Sequence, residues 1–569
     1  MRETWIQHGT HWMRFQQPKH VLEAYVLEDV LPVLQKVEHW AGYAVGFISY
    51  EAAPVFDSAL RTRKPLPSFP LLYFALYSDC KIFQNIERCS EKNQIQFDWT
   101  LSVSKIEYEN AIFEIRKQIE QGNTYQANYT WRLRSRWIAE PWCYFQTLFQ
   151  AQRPGHAAYL DTGRYVILSV SPELFFSLDG QQLTTRPMKG TAARAPETIA
   201  DLAEAKKLKS SPKERAENVM IVDMMRNDLS RISKTGSVQT PRLFEIEQYP
   251  TVWQMTSTVE AKTNRSVSEI FRALFPAASV TGAPKVKTME ILANLETSPR
   301  GIYTGSIGWM GPSRQAEFNV AIRTLVVDRM EGIAEYGVGG GIVWDSKAHA
   351  EYAECFVKTK VLSTHHPAFS ILETLLWTRE NGFFLLKEHI ERMLSSARYF
   401  GYPTDEKKLK RVFSDARFED GPRRVRILLN ERGEIQMESS LLGEKIRNLV
   451  LEIAKSPIDS SDPFLFHKTT HRTVYESAGA KTGEVLLWNT RGEMTETTIA
   501  NIVVDFGSGK ITPPIASGLL PGTFRRSLLE CGEIREQVVT LEEINQAKSI
   551  WLINSIRGWR KANLANPLV

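Results

Sequence analysis

The sequence predicts a chain of two mixed α and β units, α+β in class. Three observations lead there. The 569 residues exceed one ordinary domain. Strand-like and helix-like periodicities occur in both halves of the chain. A short polar stretch, Ser363-Thr364-His365-His366-Pro367, ends a helix-like run and precedes a fresh strand. The expected division is residues 1–362, a linker at 363–368, and residues 369–569.

In chain order, Tyr165 to Val170 reads as a buried strand. Ser211-Pro212-Lys213-Glu214 reads as a capping box with proline at the first helical position. It opens a helix over Arg215 to Ile232, with Ala216, Val219, Met220 and Met224 at helical spacing. Ile302 to Trp309 reads as a strand and Ala348 to Leu362 as a helix. In the second unit, Phe369 to Leu375, Val425 to Leu429 and Ile499 to Val504 read as strands, and Lys387 to Tyr399 as a helix. Gly518-Leu519-Leu520-Pro521-Gly522-Thr523 opens another helix.

The apolar and charged fractions, 43% and 24%, are those of a soluble globular protein. A net charge of +5 on this length calls for neither nucleic acid nor a membrane surface. Five cysteines, with no C-x-x-C pair, argue against a disulfide framework or a zinc site and fit a reducing compartment. No apolar h-region opens the chain and no apolar run spans a bilayer, so a cytoplasmic protein is expected.

Glu214 and Glu217 lie three apart on one helical face, and Glu351 and Glu354 repeat the spacing. Two such pairs brought together suit Mg²⁺. Spacing alone leaves other readings open, since Glu214 is explained by the cap and Glu354 with Lys358 by a surface i,i+4 pair. The run Gly337-Val338-Gly339-Gly340-Gly341 could present backbone amides to an anion, or mark a turn.

A series of motifs occurs in order: Gln126-Ala127-Asn128, Ser171-Pro172-Glu173, Pro187-Met188-Lys189-Gly190-Thr191, Lys213 to Asn218, Asp223 to Asp228, Thr281-Gly282-Ala283-Pro284-Lys285, Tyr303-Thr304-Gly305, Ile322-Arg323-Thr324 and Glu351-Tyr352-Ala353-Glu354. It resembles the chorismate-utilising enzymes, the anthranilate, aminodeoxychorismate and isochorismate synthases. The resemblance implies large mixed β-sheets with flanking helices. It implies that Glu217 and Glu354 ligate Mg²⁺ with Glu214 and Glu351 in support. Tyr303, Gly305, Arg323, Gly340 and Lys358 are expected at the substrate, and Glu173 and Lys189 in catalysis. Anthranilate synthases carry Ala where this chain has Lys189, and aminodeoxychorismate synthases carry Lys. Where the family often has His, this chain has Gln254, so no proton shuttle is carried over to that position.

In the second unit, Phe466-His467-Lys468-Thr469-Thr470-His471-Arg472, Glu496 to Asn501 and the glycine-threonine helix start combine a lysine, a carboxylate and an anion cradle. Each has a common structural explanation alone. As a set, running from Glu373-Thr374 through His389 to Arg392 and on to Asn554-Ser555-Ile556-Arg557, they are similar to the fold-type IV pyridoxal-phosphate enzymes. That resemblance implies pyridoxal 5'-phosphate held by Lys468 as a Schiff base, Glu496 at the pyridine nitrogen, and Arg392, Thr523 and Ser555 at the phosphate. It also implies a homodimer through this unit.

Together the two resemblances imply consecutive steps of 4-aminobenzoate synthesis. Chorismate is aminated with ammonia from a separate glutamine amidotransferase subunit, and a lyase step releases 4-aminobenzoate and pyruvate. The alternatives are an anthranilate synthase fused to an aminotransferase, or a chain in which one unit is catalytically silent.

Overall fold

The computed structural model describes residues 3–86, 89, 97–363, 368–419, 421–444, 449–478 and 484–565. The chain divides into two compact units. One comprises Met1–Ala193 and Ala205–His366, the other Arg194–Glu204 and Pro367–Val569. The grouping of Arg194–Glu204 with the second unit is invisible to a linear reading. Residues 364–367 of the expected linker lie outside the described residues.

Among the described residues, the first unit holds two ten-stranded sheets, each a path of nine strands with a tenth paired at its side, Thr100–Leu101 on Gln126–Arg136 and Gln239–Gln248 on Val252–Lys262. The first runs in the order Gly282–Ala283, Gln126–Arg136, Ile333–Ile342, Thr324–Asp328, Tyr165–Ser171, His156–Asp161, Glu3–His8, His11–Gln16 and Lys81–Phe83. The second runs Met188–Ala193, Val252–Lys262, Gln182–Arg186, Leu174–Asp179, Gln315–Val320, Ser306–Gly311, Tyr43–Ile48, Leu72–Tyr77 and His20–Ala24. Their ladders, for example Tyr336↔Leu133 and Thr191↔Gln254, are antiparallel.

The sheets pack face to face. Ile6, Phe15 and Ile167 from the first meet Val45, Phe47, Ile307 and Trp309 from the second in one buried cluster. Each outer face is covered by helices. Leu27–Glu38, Pro212–Ser230 and Val267–Leu274 pack on the second sheet. Lys105–Glu120, Pro141–Gln152 and Ala348–Thr359 pack on the first. The result is a four-layer helix–sheet–sheet–helix stack whose apolar residues are divided among three interfaces.

A buried polar hub ties the two sheets together near one end. Glu296 and Arg300 are both almost fully buried and pair at 2.7 Å. Arg300 also donates to Asn128 O (2.7 Å), Val280 O (2.9 Å) and Thr304 Oγ1 (3.1 Å), while Glu296 accepts from the Thr130 amide (3.0 Å) and hydroxyl (2.8 Å). Glu51, just after a strand of the second sheet, accepts from the amides of Arg300 (2.6 Å) and Gly301 (2.8 Å).

Among the described residues, the second unit has a four-stranded sheet, Gly382–Phe383, Ile371–Thr378, Arg423–Leu429 and Ile435–Leu441, and an eight-stranded one. The latter runs Met494–Thr497, Glu484–Trp488, Leu449–Ile453, Gly558–Leu564, Ser549–Asn554, Asn501–Asp505, Lys510–Thr512 and Arg535–Glu536. A further pairing, Glu496↔Asn501, joins Met494–Thr497 to Asn501–Asp505 and closes six of these strands into a ring.

Several expectations are corrected. Ser211 does cap its helix, accepting from the Glu214 amide at 3.4 Å, but no reciprocal bond from the Glu214 side chain forms. That side chain is turned toward Gly190 instead. The core-facing stripe of this helix is Asn218, Ile221, Val222, Met225 and Leu229, whereas Ala216 and Val219 are exposed. Asn218 holds a core position because its amide is fully used, donating to Lys189 O (3.1 Å) and accepting from Ser257 Oγ (2.6 Å). Residues 302–305 form a turn, and the strand begins only at Ser306. Cys89 and Cys143 are joined as a disulfide with Cα atoms 5.4 Å apart, contrary to the expected absence of one. The fold brings together two residues 54 apart, which spacing cannot reveal. Among the described residues, no helix is long and apolar enough to cross a membrane.

Glu296→Ala leaves Arg300 as a buried, unpaired charge. The expected loss is about 3–5 kcal/mol of stability, read as a downward shift of the first unit's denaturant transition, with a smaller loss in Glu296→Ala/Arg300→Met. Equal losses in the single and double variants would show that the ion pair does not anchor the unit.

Candidate active sites

The first unit encloses a cavity of about 280 Å³. Its wall gathers Glu173, Lys189, Glu214, Glu217, Tyr303, Arg323, Glu351, Glu354 and Lys358. Lys189 lies on the strand Met188–Ala193, whose pairing with Val252–Lys262 slips between Met188 and Thr191. Gly190, at φ 106°, takes up this bulge, a backbone conformation that suits glycine. A methyl group there would stand 3.1 Å from Glu214 Oε2. The bulge turns Lys189 toward the carboxylates, and its Nζ is 3.3 Å from Glu217 Oε2. Gln254 lies opposite Thr191 in the ladder and donates to its hydroxyl at 3.1 Å. Its amide therefore braces the strand that carries Lys189.

The glycine run forms no amide nest. Gly337 to Gly341 lie inside the strand Ile333–Ile342 and pair with Gln126–Arg136. They are small because the site crowds them. A methyl group on Gly337 would fall 2.2 Å from the Tyr303 ring, and one on Gly341 would fall 2.8 Å from Lys189 Nζ. Gly339 and Gly341 line the cavity; Gly305 and Gly340 do not, Gly340 facing Glu351 Oε2.

Arg323 sits at φ 50° with its Nη1 buried and without a hydrogen-bond partner. Burial depresses its pKa. A buried, unsatisfied guanidinium at a cavity wall is an anion-binding group in waiting. Burial pushes the Glu173 carboxyl up to about 7, against the Ser279 hydroxyl (2.6 Å), the Met188 amide and the charge of Lys189. Glu173 can therefore exchange a proton near neutrality.

The four helical glutamates ring the same cavity. Burial raises Glu214, and the charges of Glu217 and Glu354 raise it further. Burial also raises Glu351, which accepts from Ser346 Oγ at 2.7 Å. Lys358, 2.9 Å away, holds Glu354 below the usual carboxylate range and also donates to Gly339 O. Among the described residues, no three potential ligands converge on one point as placed. The donor set, oxygen-only and mutually repelling, nevertheless has the chemistry that a hard divalent cation relieves.

The second unit holds a cavity of about 570 Å³, lined by Arg392, Lys468, Glu496, Thr523 and Ser555 among others. Lys468 is enclosed by protein but opens onto the cavity. Burial lowers its pKa to about 8, Arg392 and Arg472 adding to the effect and Glu373 and Glu496 opposing it. Its backbone is pinned by the Leu372 amide at 2.8 Å. Glu496 is buried and accepts from Tyr475 OH (2.9 Å), the Leu520 amide (3.0 Å) and Asn501 Nδ2 (3.1 Å), yet burial pushes it up to about 7.

Arg392 does not stand free. It grips Glu373 through Nε (2.8 Å) and Nη2 (2.7 Å) and donates to Pro521 O (3.0 Å). Burial would raise Glu373, but Arg392 and His389 hold it at about 2. His389 in turn meets Thr523 Oγ1 at 3.1 Å. Thr523 is the first residue of the helix Thr523–Glu530, and Ser555 Oγ meets Thr374 O at 3.4 Å.

The structure thus gathers the sequence-predicted residues of each site, Gly305 and Gly340 apart. Sequence reasoning missed Ser279, Tyr475 and Arg560, the last of which also lines the second cavity. Of these, only Tyr475, one short helix beyond Lys468, had a local signal.

A family model described as chorismate binding enzyme matches residues 6–364, and one described as amino-transferase class IV matches residues 370–564. Aminodeoxychorismate synthase component 1 of Escherichia coli (strain K12) is 39% identical over 263 residues, 46% of this chain and 58% of that protein. Aminodeoxychorismate synthase component 1 of Bacillus subtilis (strain 168) is 33% identical over 355 residues, 56% of this chain and 75% of that protein. The chain spans little more than half the length of the first of these. The crystal structure of anthranilate synthase component I from Streptococcus pneumoniae TIGR4 shares the fold, with a TM-score of 0.56 at 24% identity over 64% of this chain and 92% of that one.

The electrostatics of the second cavity make one outcome measurable. In the ligand-free protein, acylation of Lys468 followed by peptide mass spectrometry is expected to titrate with a midpoint of about 8. A midpoint near the ordinary lysine value of about 10.4 would refute the desolvated amine.

Proposed function

The chain belongs to the chorismate-binding enzymes, and on that premise we propose that it is bifunctional, making 4-aminobenzoate from chorismate in two steps. The first unit aminates chorismate to 4-amino-4-deoxychorismate with Mg²⁺. The second, with pyridoxal 5'-phosphate, eliminates pyruvate to leave 4-aminobenzoate. One observation carries the reading: each of the two cavities presents a lysine amine beside a buried carboxyl poised near neutrality, Lys189 with Glu173 and Lys468 with Glu496.

In the first cavity, Arg323 and Tyr303 receive a substrate carboxylate. Glu217 and Glu354 would hold the divalent cation, with Glu214 and Glu351 in support. When bound, the cation neutralises these carboxylates and the carboxylate of the substrate. Lys189 adds to the ring as the hydroxyl at carbon 4 departs, and Glu173 supplies the proton that turns it into water. Ammonia then bonds to carbon 4 as the bond from Lys189 to the ring breaks, and the proton shed by the incoming nitrogen returns to Glu173, restoring both groups. Lys358 helps hold the substrate at the cavity mouth. The ammonia comes from a separate glutamine amidotransferase subunit.

In the second cavity, Glu496 would pair with the ring nitrogen of the cofactor, and Thr523, Ser555 and Arg392 would hold its phosphate. The cofactor, when bound, supplies an electron sink for the amine-bearing carbon. Lys468 takes the proton from carbon 4, the bond between the ring and the enolpyruvyl oxygen breaks as the ring becomes aromatic, and the proton returned to the departing three-carbon fragment makes it pyruvate. The bonds that pin the Lys468 backbone and the Glu496 carboxyl keep both groups oriented.

The test is product analysis with chorismate, ammonium, Mg²⁺ and pyridoxal phosphate. The wild-type chain is expected to form 4-aminobenzoate. Lys468→Ala should accumulate 4-amino-4-deoxychorismate. Lys189→Ala should lose amination by on the order of a hundredfold or more but still convert supplied intermediate. Anthranilate as the product, or an undiminished amination rate in Lys189→Ala, would refute the reading of the first site.

A further inference from the structure

The second cavity carries more positive charge than the chemistry proposed for it uses. Arg392 grips Glu373 and is already assigned to the cofactor phosphate. Arg472 donates to Thr498 O and stacks over the Tyr475 ring at 4.4 Å. Arg557 and Arg560 also line the cavity and are not so engaged.

Arg560, on the strand Gly558–Leu564, has a side chain only 7% exposed. Its Nε and Nη2 are buried without a hydrogen-bond partner. Glu484 Oε1 stands 3.8 Å from Nη2, beyond hydrogen-bond reach, and Glu484 Oε2 accepts from the Thr497 hydroxyl. Arg557 is half-buried on the preceding turn. Asn554 Oδ1 fixes that turn by accepting from the amides of Ile556 (3.1 Å) and Arg557 (2.8 Å), and Gly558 completes it at φ 63°. Burial disfavours the charge of Arg560 most; Glu484 supports it, and the neighbouring Arg557 opposes it. Two neighbouring guanidinium groups with one loosely placed counter-charge, Glu484 at 3.8 Å from Arg560 and not hydrogen-bonded to it, are costly to hold beside a cavity. An anion entering between them relieves both repulsion and unmade hydrogen bonds, and the planar forks suit a carboxylate.

We propose that Arg557 and Arg560 form a carboxylate-binding subsite of the second cavity, selecting substrates that carry an acid group away from the reacting amine. This rests on the reading of that cavity as the site of 4-aminobenzoate release, whose substrate and product both bear a ring carboxylate. The charges acting most strongly on Lys468 are those of Arg392, Glu373, Arg472 and Glu496, so the Arg557–Arg560 pair addresses a different part of the ligand. A substrate with only the carboxylate adjoining its amine would leave the pair unmatched. The pair is thus a specificity determinant rather than part of the proton-transfer apparatus.

The test uses the full chain loaded with pyridoxal phosphate and calorimetric titration with 4-aminobenzoate and 4-aminobenzamide, which differ only in acid against amide. The wild type is expected to prefer the acid by about tenfold or more, the scale of a charge-assisted hydrogen bond. Arg560→Met and Arg557→Gln should each bring the ratio within about threefold, with the cofactor absorbance band and thermal unfolding unchanged. Arg557→Gln alters only a half-buried turn residue, so it decides the matter if Arg560→Met misfolds. No acid preference in the wild type, or a full preference in Arg557→Gln and in folded Arg560→Met, would overturn the subsite. Conversion of supplied 4-amino-4-deoxychorismate is scored in parallel. Conversion without acid preference sinks the subsite alone, whereas acid preference lost in the variants without any wild-type conversion supports the subsite and sinks the reading of the reaction.

Discussion

The buried ion pair of Glu296 and Arg300 is the constraint on which the first unit rests. Two charges with almost no access to water are tolerable only when every lone pair and proton is used. Here the partners come from both sheets: Asn128 and Thr130 from one, and Thr304, just before a strand of the other. Glu51 secures the backbone of the same segment by accepting the Arg300 and Gly301 amides. Apolar faces could pack the sheets in several neighbouring registers, but this set of bonds closes in one. Its position matters as well as its strength. Asn128, Val280 and Tyr303 line the first cavity, so the hub that joins the sheets also fixes the wall where the substrate is proposed to bind.

The second unit uses the same device on a smaller scale. Glu373 is buried and kept ionised by Arg392 and His389, and His389 reaches Thr523 at the helix start. The charge network fixes the strand Ile371–Thr378 relative to two helices, and those helices carry Arg392 and Thr523, two of the groups proposed to hold the phosphate. In both units the buried charges lie beside the site and fix the segments that carry its side chains.

How much of this was legible in the sequence follows from how local each signal is. The helix from Pro212 was readable because its cap and proline are contiguous, and the pairing of Glu214 with Glu217 on one face follows from helical spacing alone. Its core face was misjudged because Asn218, a polar residue, occupies a buried position that only Lys189 O and Ser257 justify. The glycines at 337–341 looked like an anion nest. They are strand glycines whose reason, the Tyr303 ring and the Lys189 amine across the cavity, lies tens of residues or more away along the chain. The Cys89–Cys143 bridge and the Glu373–Arg392–His389 network are likewise made by tertiary approach. Ile302 was read as strand from its apolar neighbours, but the turn at 302–305 is needed to present Tyr303, and Gly305 packs against the backbone of Ile48 there. Arg560 gave no signal at all, since an arginine in an alternating strand reads as an exposed residue.

The two lysines show how one functional group is prepared by opposite means. Lys468 is enclosed by protein with two cations and two carboxylates about it, and desolvation is the largest influence against its charge, lowering its pKa to about 8. Its amine thus loses its proton more readily than an ordinary lysine without any partner having to move. Lys189 is instead placed against Glu217 at the rim of four carboxylates, where its charge has a counter-ion. Whatever engages Glu217 more strongly must do so in competition with Lys189. The occupancy of the carboxylate ring and the freedom of the amine are thus linked by geometry, through one shared oxygen. That coupling needs no conformational change in the sheets, which the Glu296–Arg300 hub holds fixed; it needs only that the bulge at Gly190 keep Lys189 within reach of both the ring and the cavity.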